Sequence, residues 1–449
     1  MLPFLALVAR LWVPVEVSAE PIAAEPPSDA PGELSLSRAV AEALAQAPAS
    51  RIARLEADRS VDAAGQERSA YLPQASITSN AGYNSRQDES LEAIDGSGQL
   101  RRYGLSSLGS DQGWFNVYLD QLLLDVATWH RIERAELEAE AAAIAEEQER
   151  ESVAYEVVQR YTGVLREEAR LDLARDHARE SEALDQQAAL LLDAGRTRPA
   201  DREQVALRLI EARLDVDQRL AAAASARAAL ALALGREIGA LGEGLDRSSL
   251  PDATLPGGEA PDVSASPELR ILDLRRRVEE KNVDIARAGF LPTVGVRGGY
   301  SHYGVKRYDN YPDALQVGVN VDVPIFQGLR NLYATDGASK AVEIARLKQR
   351  SRTDAKRARV RELAARLSAA SESADLARRR AEVSLEKLRL AELNLRAERG
   401  TLDEALAALD ENTRAGRAAV DAALDRVLVF ADLQREAGAL VRAVAPASP

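Results

Sequence analysis

The chain has 449 residues, of which 29% are charged and only 4% aromatic, and its 71 Asp and Glu against 58 Lys and Arg leave a net charge of −13. That balance excludes a nucleic-acid partner, since neutralising phosphates needs a surplus of Lys and Arg. With no cysteine, the sequence offers no disulfide, no thiolate metal ligand and no thiol for a lipid.

Taken in order, residues 1–19 carry an apolar run, Leu2 to Ala9, and end in Val17-Ser18-Ala19, the small-residue pattern of a cleavable signal peptide. No other stretch is apolar for long enough to cross a membrane as a helix, so any membrane span must come from a β-barrel. Residues 20–33, with Pro21, Pro26, Pro27 and Pro31, read as an extended N-terminal segment. Helix begins near Leu34-Ser35-Leu36, is interrupted at Pro48, and resumes to about Ala70.

After Tyr71-Leu72-Pro73-Gln74 the period changes from helical to alternating. Ala75, Ile77, Ser79 and Ala81 stand against Ser76, Thr78, Asn80 and Gly82, which predicts a strand at about 74–84. A polar, glycine-bearing stretch from 84 to 112 reads as a long loop. A second strand follows at about 113–124, with Phe115, Val117 and Leu119 on one face and Asn116 and Asp120 on the other. From Val126 to Ala194 there is no proline, so one very long helix is predicted; Gly195 ends it and Pro199 starts its partner. This first repeat spans 34–239, and glycines and prolines crowd the linker at 240–266.

The same programme then runs again over 267–440. Phe290-Leu291-Pro292-Thr293 repeats the earlier Leu-Pro signal, and strands are predicted at about 293–303 and 313–324. The last is the most regular: Leu315, Val317, Val319, Val321 and Val323 alternate with Gln316, Gly318, Asn320 and Asp322. Val323-Pro324-Ile325-Phe326-Gln327-Gly328 closes it, a second long helix runs to Arg399, and Gly400-Thr401 turns into a final helix; residues 441–449 are left as a tail. The chain is a tandem duplication.

Helix lengths set the geometry. Each long helix is about twice as long as the short helix before its strands and the short helix after its glycine turn, so the short pair can stack end to end against it. Strands then gather at one pole, glycine turns at the other, and the linker near the equator. Four strands cannot close a barrel, because bacterial barrels have at least about eight, so several chains must share one. The polar face of the strands, Asn116, Asp120, Arg297, Gln316, Asn320 and Asp322, would line a water-filled lumen; the oily face would meet lipid. Trp114, Phe115, Tyr118, Tyr300 and Tyr303 fit aromatic girdles at its borders.

Catalytic signatures are missing: there is no phosphate loop, dinucleotide fingerprint, Gly-x-Ser-x-Gly or His-Glu-x-x-His. His130, His177 and His302 are isolated and offer no ligand cluster, and the carboxylates alternate with arginines at helical spacings as solvated ion pairs do. No enzyme, cofactor or metal site is expected. An exported coiled-coil scaffold without a pore is the rival reading, against which the four oily-faced strands with aromatic ends argue.

Together these features resemble the TolC family of outer-membrane efflux proteins. The resemblance rests on Leu34-Ser35-Leu36 with Ala39, Ala43 and Pro48; the Leu-Pro pairs at Pro73 and Pro292; Val323 to Gly328; and Gly195 with Asp201 and Gly400-Thr401 at the helix turns. It implies a mainly α fold with a small β part: a long antiparallel coiled-coil tunnel topped by a transmembrane β-barrel shared by three chains, four strands from each. It implies a homotrimer partnered by a periplasmic adaptor and an inner-membrane pump, carrying drugs, metals or secreted proteins. It further implies that Gly195, Thr197, Asp201, Gly400 and Thr401 form the tips where the adaptor docks, with Asp403, Glu404 and Asp410 as candidate aperture acids. The chain departs from the family at Leu122-Leu123-Leu124-Asp125-Val126-Ala127, where a Pro-Leu-Phe-Asp-Gly-Gly type joint is expected, and after Gly400, where the family's Asp-Val-Leu spacing is absent.

Overall fold

Helices begin where the sequence supplies caps. The Ser35 hydroxyl accepts from the Arg38 N–H at 3.3 Å and starts α1 (Leu36–Gln46). Pro48 opens α2 (Pro48–Ser69), a position where its missing N–H costs nothing. The computed structural model describes residues 33–84, 88–94, 97, 99–106, 110–236, 244–254, 261–305, 313–397 and 399–444. The expected signal peptide, nearly all of the 20–33 segment and the last residues of the tail lie outside them.

The strands are β1 (Gln74–Asn84), β2 (Asp88–Ile94), β3 (Leu100–Ser106), β4 (Ser110–Leu124), β5 (Thr293–Val305) and β6 (Ala314–Asp322). β1, β4, β5 and β6 form one antiparallel sheet in that spatial order, open at both edges among the described residues, while β2 and β3 pair with each other. The stretch from 84 to 112, read above as a loop, thus holds a second ribbon that carries on from the β1–β4 pair. Consecutive polar residues such as Asp88-Glu89-Ser90 hid it, because that stretch has no alternation of oily and wet positions.

Asp125 closes β4 and caps the next helix: its Oδ1 accepts from the Ala127 N–H at 2.9 Å and its Oδ2 from the Thr128 hydroxyl at 2.5 Å. A register shift in the β4–β5 pairing between Leu122 and Leu124 marks the joint where the chain departs from the family motif. The helix it starts, α3 (Val126–Asp193), has 68 residues and is therefore roughly 100 Å long. Its partner is α4 (Pro199–Ala233). The second copy gives α5 (Pro267–Ala288), α6 (Arg330–Arg396) of 67 residues, and α7 (Leu402–Ala437). A short helix, α8 (Leu440–Val444), whose residues 441–444 belong to the tail read from sequence, follows and docks into the core.

The short helices abut at the equator. α4 ends at Gly235, in left-handed backbone, against the Gln46 carbonyl that ends α1, and α7 ends at Gly438 against Pro267, which begins α5. The largest core lies at that level, where Leu34, Leu36, Val40, Val157, Val158, Leu230, Leu234 and Leu440 close around Tyr161. The Tyr161 hydroxyl sits 2.7 Å from the Leu34 carbonyl oxygen and 2.9 Å from that of Asp246, tying the start of the first repeat to the linker. α3 packs on α2, α4 and α5, α6 on α5 and α7, and the contact between α3 and α7 joins the two hairpins.

Candidate functional site

Two places stand apart from this frame: the exposed sheet at one pole and the paired helix turns at the other. In the sheet, residues paired directly across antiparallel strands share a face. Asp120 pairs with Arg297, Arg297 with Gly318, Asn116 with Ser301, and Asp322 with Thr293, so the register sets Asn116, Asp120, Arg297, Gln316, Asn320 and Asp322 on a single face. Arg297 Nε donates to Asp120 Oδ1 at 2.5 Å, and its guanidinium lies 5.9 Å from the Tyr118 ring centre. The opposite face holds Ile77, Leu119, Leu315, Val317, Val319 and Val321, each at least half exposed, with Leu315 at 79%. A soluble domain rarely leaves so long an apolar strip uncovered.

The aromatics divide between the faces, which corrects the girdle expected from sequence. Phe115 and Tyr300 lie on the oily face, with ring centres 6.0 Å apart. Trp114 and Tyr118 fall in register with the polar residues and so do not belong to a lipid-facing belt, while the side chain of Tyr303 lies outside what the structure describes.

At the other pole the two turns use different chemistry. Gly195 takes φ 69°; its N–H bonds the Leu192 carbonyl at 2.9 Å and the Arg196 N–H bonds the Leu191 carbonyl at 2.8 Å, a left-handed helix stop that favours glycine. Arg198 then clamps Asp201 through Nε and Nη2, both at 3.0 Å, with the Thr197 hydroxyl 3.4 Å away. That clamp holds the Asp201 carboxyl below its ordinary pKa.

Gly400 does not turn the chain through positive φ: positive-φ glycines among the described residues are Gly195, Gly235, Gly328 and Gly438. Glycine is needed at 400 for space. A Cβ there would press on Asn394 Cβ at 3.2 Å and on Glu404 Oε2 at 3.3 Å. Thr401 and Glu404 form a reciprocal cap: the Glu404 N–H donates to Thr401 Oγ1 at 3.3 Å and the Thr401 N–H to Glu404 Oε2 at 3.1 Å.

Both turns border one open cleft of about 710 Å³, lined by Gly195, Thr197, Asp201, Gly400, Thr401 and Asp403 among others. Behind it Leu184, Ala188, Val205, Leu395, Leu402 and Leu409 make a small core that draws both hairpins together. Arg198 is raised in pKa chiefly by Asp201, with a smaller share from Asp403 of the second turn. The three acids predicted near an aperture separate. Asp403 is exposed at the cleft, Glu404 is occupied by its cap, and Asp410 sits 4.0 Å from Arg208 on α4.

Two features near the tip escaped sequence reasoning. The Glu180 carboxyl on α3 is pushed up to about 7 by burial and by Glu392 on α6. His177, read as an ordinary helix residue, is half-buried against Thr413 of α7 at 2.8 Å. Neither shows in sequence because each partner comes from the other repeat. Among the described residues no group of His, Asp and Glu is placed to hold a metal ion.

Residues 263–439 match the family described as Outer membrane efflux protein. Over its sequence the chain matches no curated protein. Among solved structures, CusC aligns with a TM-score of 0.74 at 16% identity, over 90% of this chain and 92% of that one. The outer membrane protein VceC of Vibrio cholerae aligns at 0.70 and 15% identity, over 91% and 96%. The MtrE outer membrane channel of Neisseria gonorrhoeae, in its open state, aligns at 0.69 and 19% identity, over 92% and 90%. At these identities the likeness is one of fold.

Proposed function

We propose that the chain, whose residues 263–439 match an outer membrane efflux protein domain, is the passive exit duct of a tripartite efflux or secretion system, with its sheet in the outer membrane and its helices in the periplasm. The observation that carries this reading is the open sheet. Four strands with an uncovered apolar face stand on helices roughly 100 Å long, and both sheet edges, β1 and β6, lack partners among the described residues.

An exposed edge and an exposed apolar face are both costly in water. Three copies joined β1 to β6 would pair every edge, turn the oily face to lipid and turn Asn116, Asp120, Arg297, Gln316, Asn320 and Asp322 inward. The repeats at 34–239 and 267–440 then form the wall of a tunnel, and the cleft between the two turns is where a periplasmic adaptor docks. Energy comes from an inner-membrane pump, and the pump selects the cargo. A scaffold without a pore has no use for such a sheet.

The test is export. In a strain carrying the cognate pump and adaptor, deletion of the chain abolishes efflux, and full-length protein restores it. Restoration by a chain whose four strands are replaced by a flexible linker would contradict the duct.

A further inference from the structure

Just above the tip core, the seam that joins the two hairpins contains a polar layer. His177 belongs to the α3 row Ala174, His177, Ser181, Leu184, and Thr413 to the α7 row Leu409, Thr413, Gly416; both rows step by three and four residues, as a coiled-coil seam does. His177 Nδ1 and Thr413 Oγ1 are 2.8 Å apart, and the same Oγ1 lies 3.0 Å from the Leu409 carbonyl. A hydroxyl has one proton. Given to Leu409, it leaves the Thr413 oxygen to accept from Nδ1–H, and Nε2 becomes the basic site. One turn on, the helices meet closely: a Cβ on Gly416 would stand 3.1 Å from the Leu173 side chain.

Four charged groups act on the imidazole electrostatically, Arg208 and Asp215 from α4 and Asp410 and Arg417 from α7, and their charges cancel. Asp176, next to it on α3, is paired with Arg179. A proton added to His177 therefore enters a half-buried seam that holds no surplus anion to receive it. Burial accordingly pushes the imidazole pKa down, with Asp410 opposing.

We propose that the His177–Thr413 layer is a proton-operated fastener: neutral, it holds the second hairpin against the first above the tip, and protonated it releases the seam so that the tips part. Its purpose rests on the duct reading, but the motion belongs to one chain and is read as a distance rather than as transport. Because the chain has no cysteine, spin labels go cleanly onto Ala194→Cys and Ala407→Cys, both exposed, in full-length protein held in detergent.

Between about pH 7.5 and about pH 5, across the imidazole range, the label distance widens in the otherwise native chain and stays fixed in His177→Gln. Thr413→Val removes the oxygen that receives Nδ1–H, and with it the bond that closes the seam, so the widening moves to higher pH or is already present at about pH 7.5, which keeps the test alive should His177→Gln fail to fold. Glu180→Gln, which removes the neighbouring group that titrates near neutrality, leaves the widening in place. A distance independent of pH, or a widening unchanged by both His177→Gln and Thr413→Val, overturns the fastener and leaves a fixed polar layer that sets helix register. Loss of transport with the widening intact counts against the duct instead.

Discussion

Gly438 and Pro267 meet at the equator so closely that a Cβ on Gly438 would overlap the proline ring, and Gly438 itself sits at φ 71°. The contact joins the end of α7 to the start of α5, so that two short helices act as one rod beside α6. Gly438→Ala meets both the overlap and the left-handed backbone, at a combined cost of about 2–4 kcal/mol. The thermal midpoint of detergent-solubilised protein should fall accordingly. Adding Pro267→Ala should recover the steric part and leave the backbone part.

The two faces of β6 predict opposite responses to charge. Val319→Arg or Val321→Arg places a cation on the oily face, which costs ~2–4 kcal/mol per chain near mid-membrane and should impair barrel assembly. Asn320→Arg points to the polar face and should be tolerated. Equal loss of heat-resistant oligomer in the two classes would mean that the faces are assigned the wrong way round.

How much of this was legible in the sequence depends on where each signal came from. β6 and the long helices announce themselves, because Leu315 to Val321 alternate without a break and Val126 to Asp193 contain no proline. The β2–β3 ribbon does not, since its polar residues follow one another. Tyr118 looked like a girdle residue by type, but strand alternation already sets it with Asn116 and Asp120, and the register confirms that face, with Asp120 opposite Arg297. The His177–Thr413 and Glu180–Glu392 partners stand more than 200 residues apart, one from each repeat, and no local pattern connects them.

At the tips, the two glycines should respond differently to the same substitutions. Gly195 needs left-handed backbone, so Gly195→Asn, which tolerates that conformation, should keep export, and Gly195→Val should lose it. Gly400 needs space beside Asn394 and Glu404, so Gly400→Asn should disturb the Thr401–Glu404 cap as much as Gly400→Val does. Oligomer level should stay normal in all four, since the sheet lies at the far pole. Export assays beside oligomer blots check this, and identical behaviour of the two positions would refute the distinction.

Glu180 gives a pH dependence with a definite sign. Its carboxyl holds a proton up to about 7 in the folded chain, against an ordinary value of 4.5. The folded state therefore binds more protons than the unfolded state between those values, and the stability that the pair contributes is present below the lower value and falls as pH rises toward the upper one. Glu180→Gln should flatten that decline. Thermal scans across the window check it; a slope that survives the substitution would assign it to another group.

Assembly tests the exit duct most directly. The mass of the mature protein, extracted in detergent from the outer-membrane fraction and measured by light scattering with the detergent contribution removed, should be that of three chains. A monodisperse, soluble single chain obtained without detergent would contradict it.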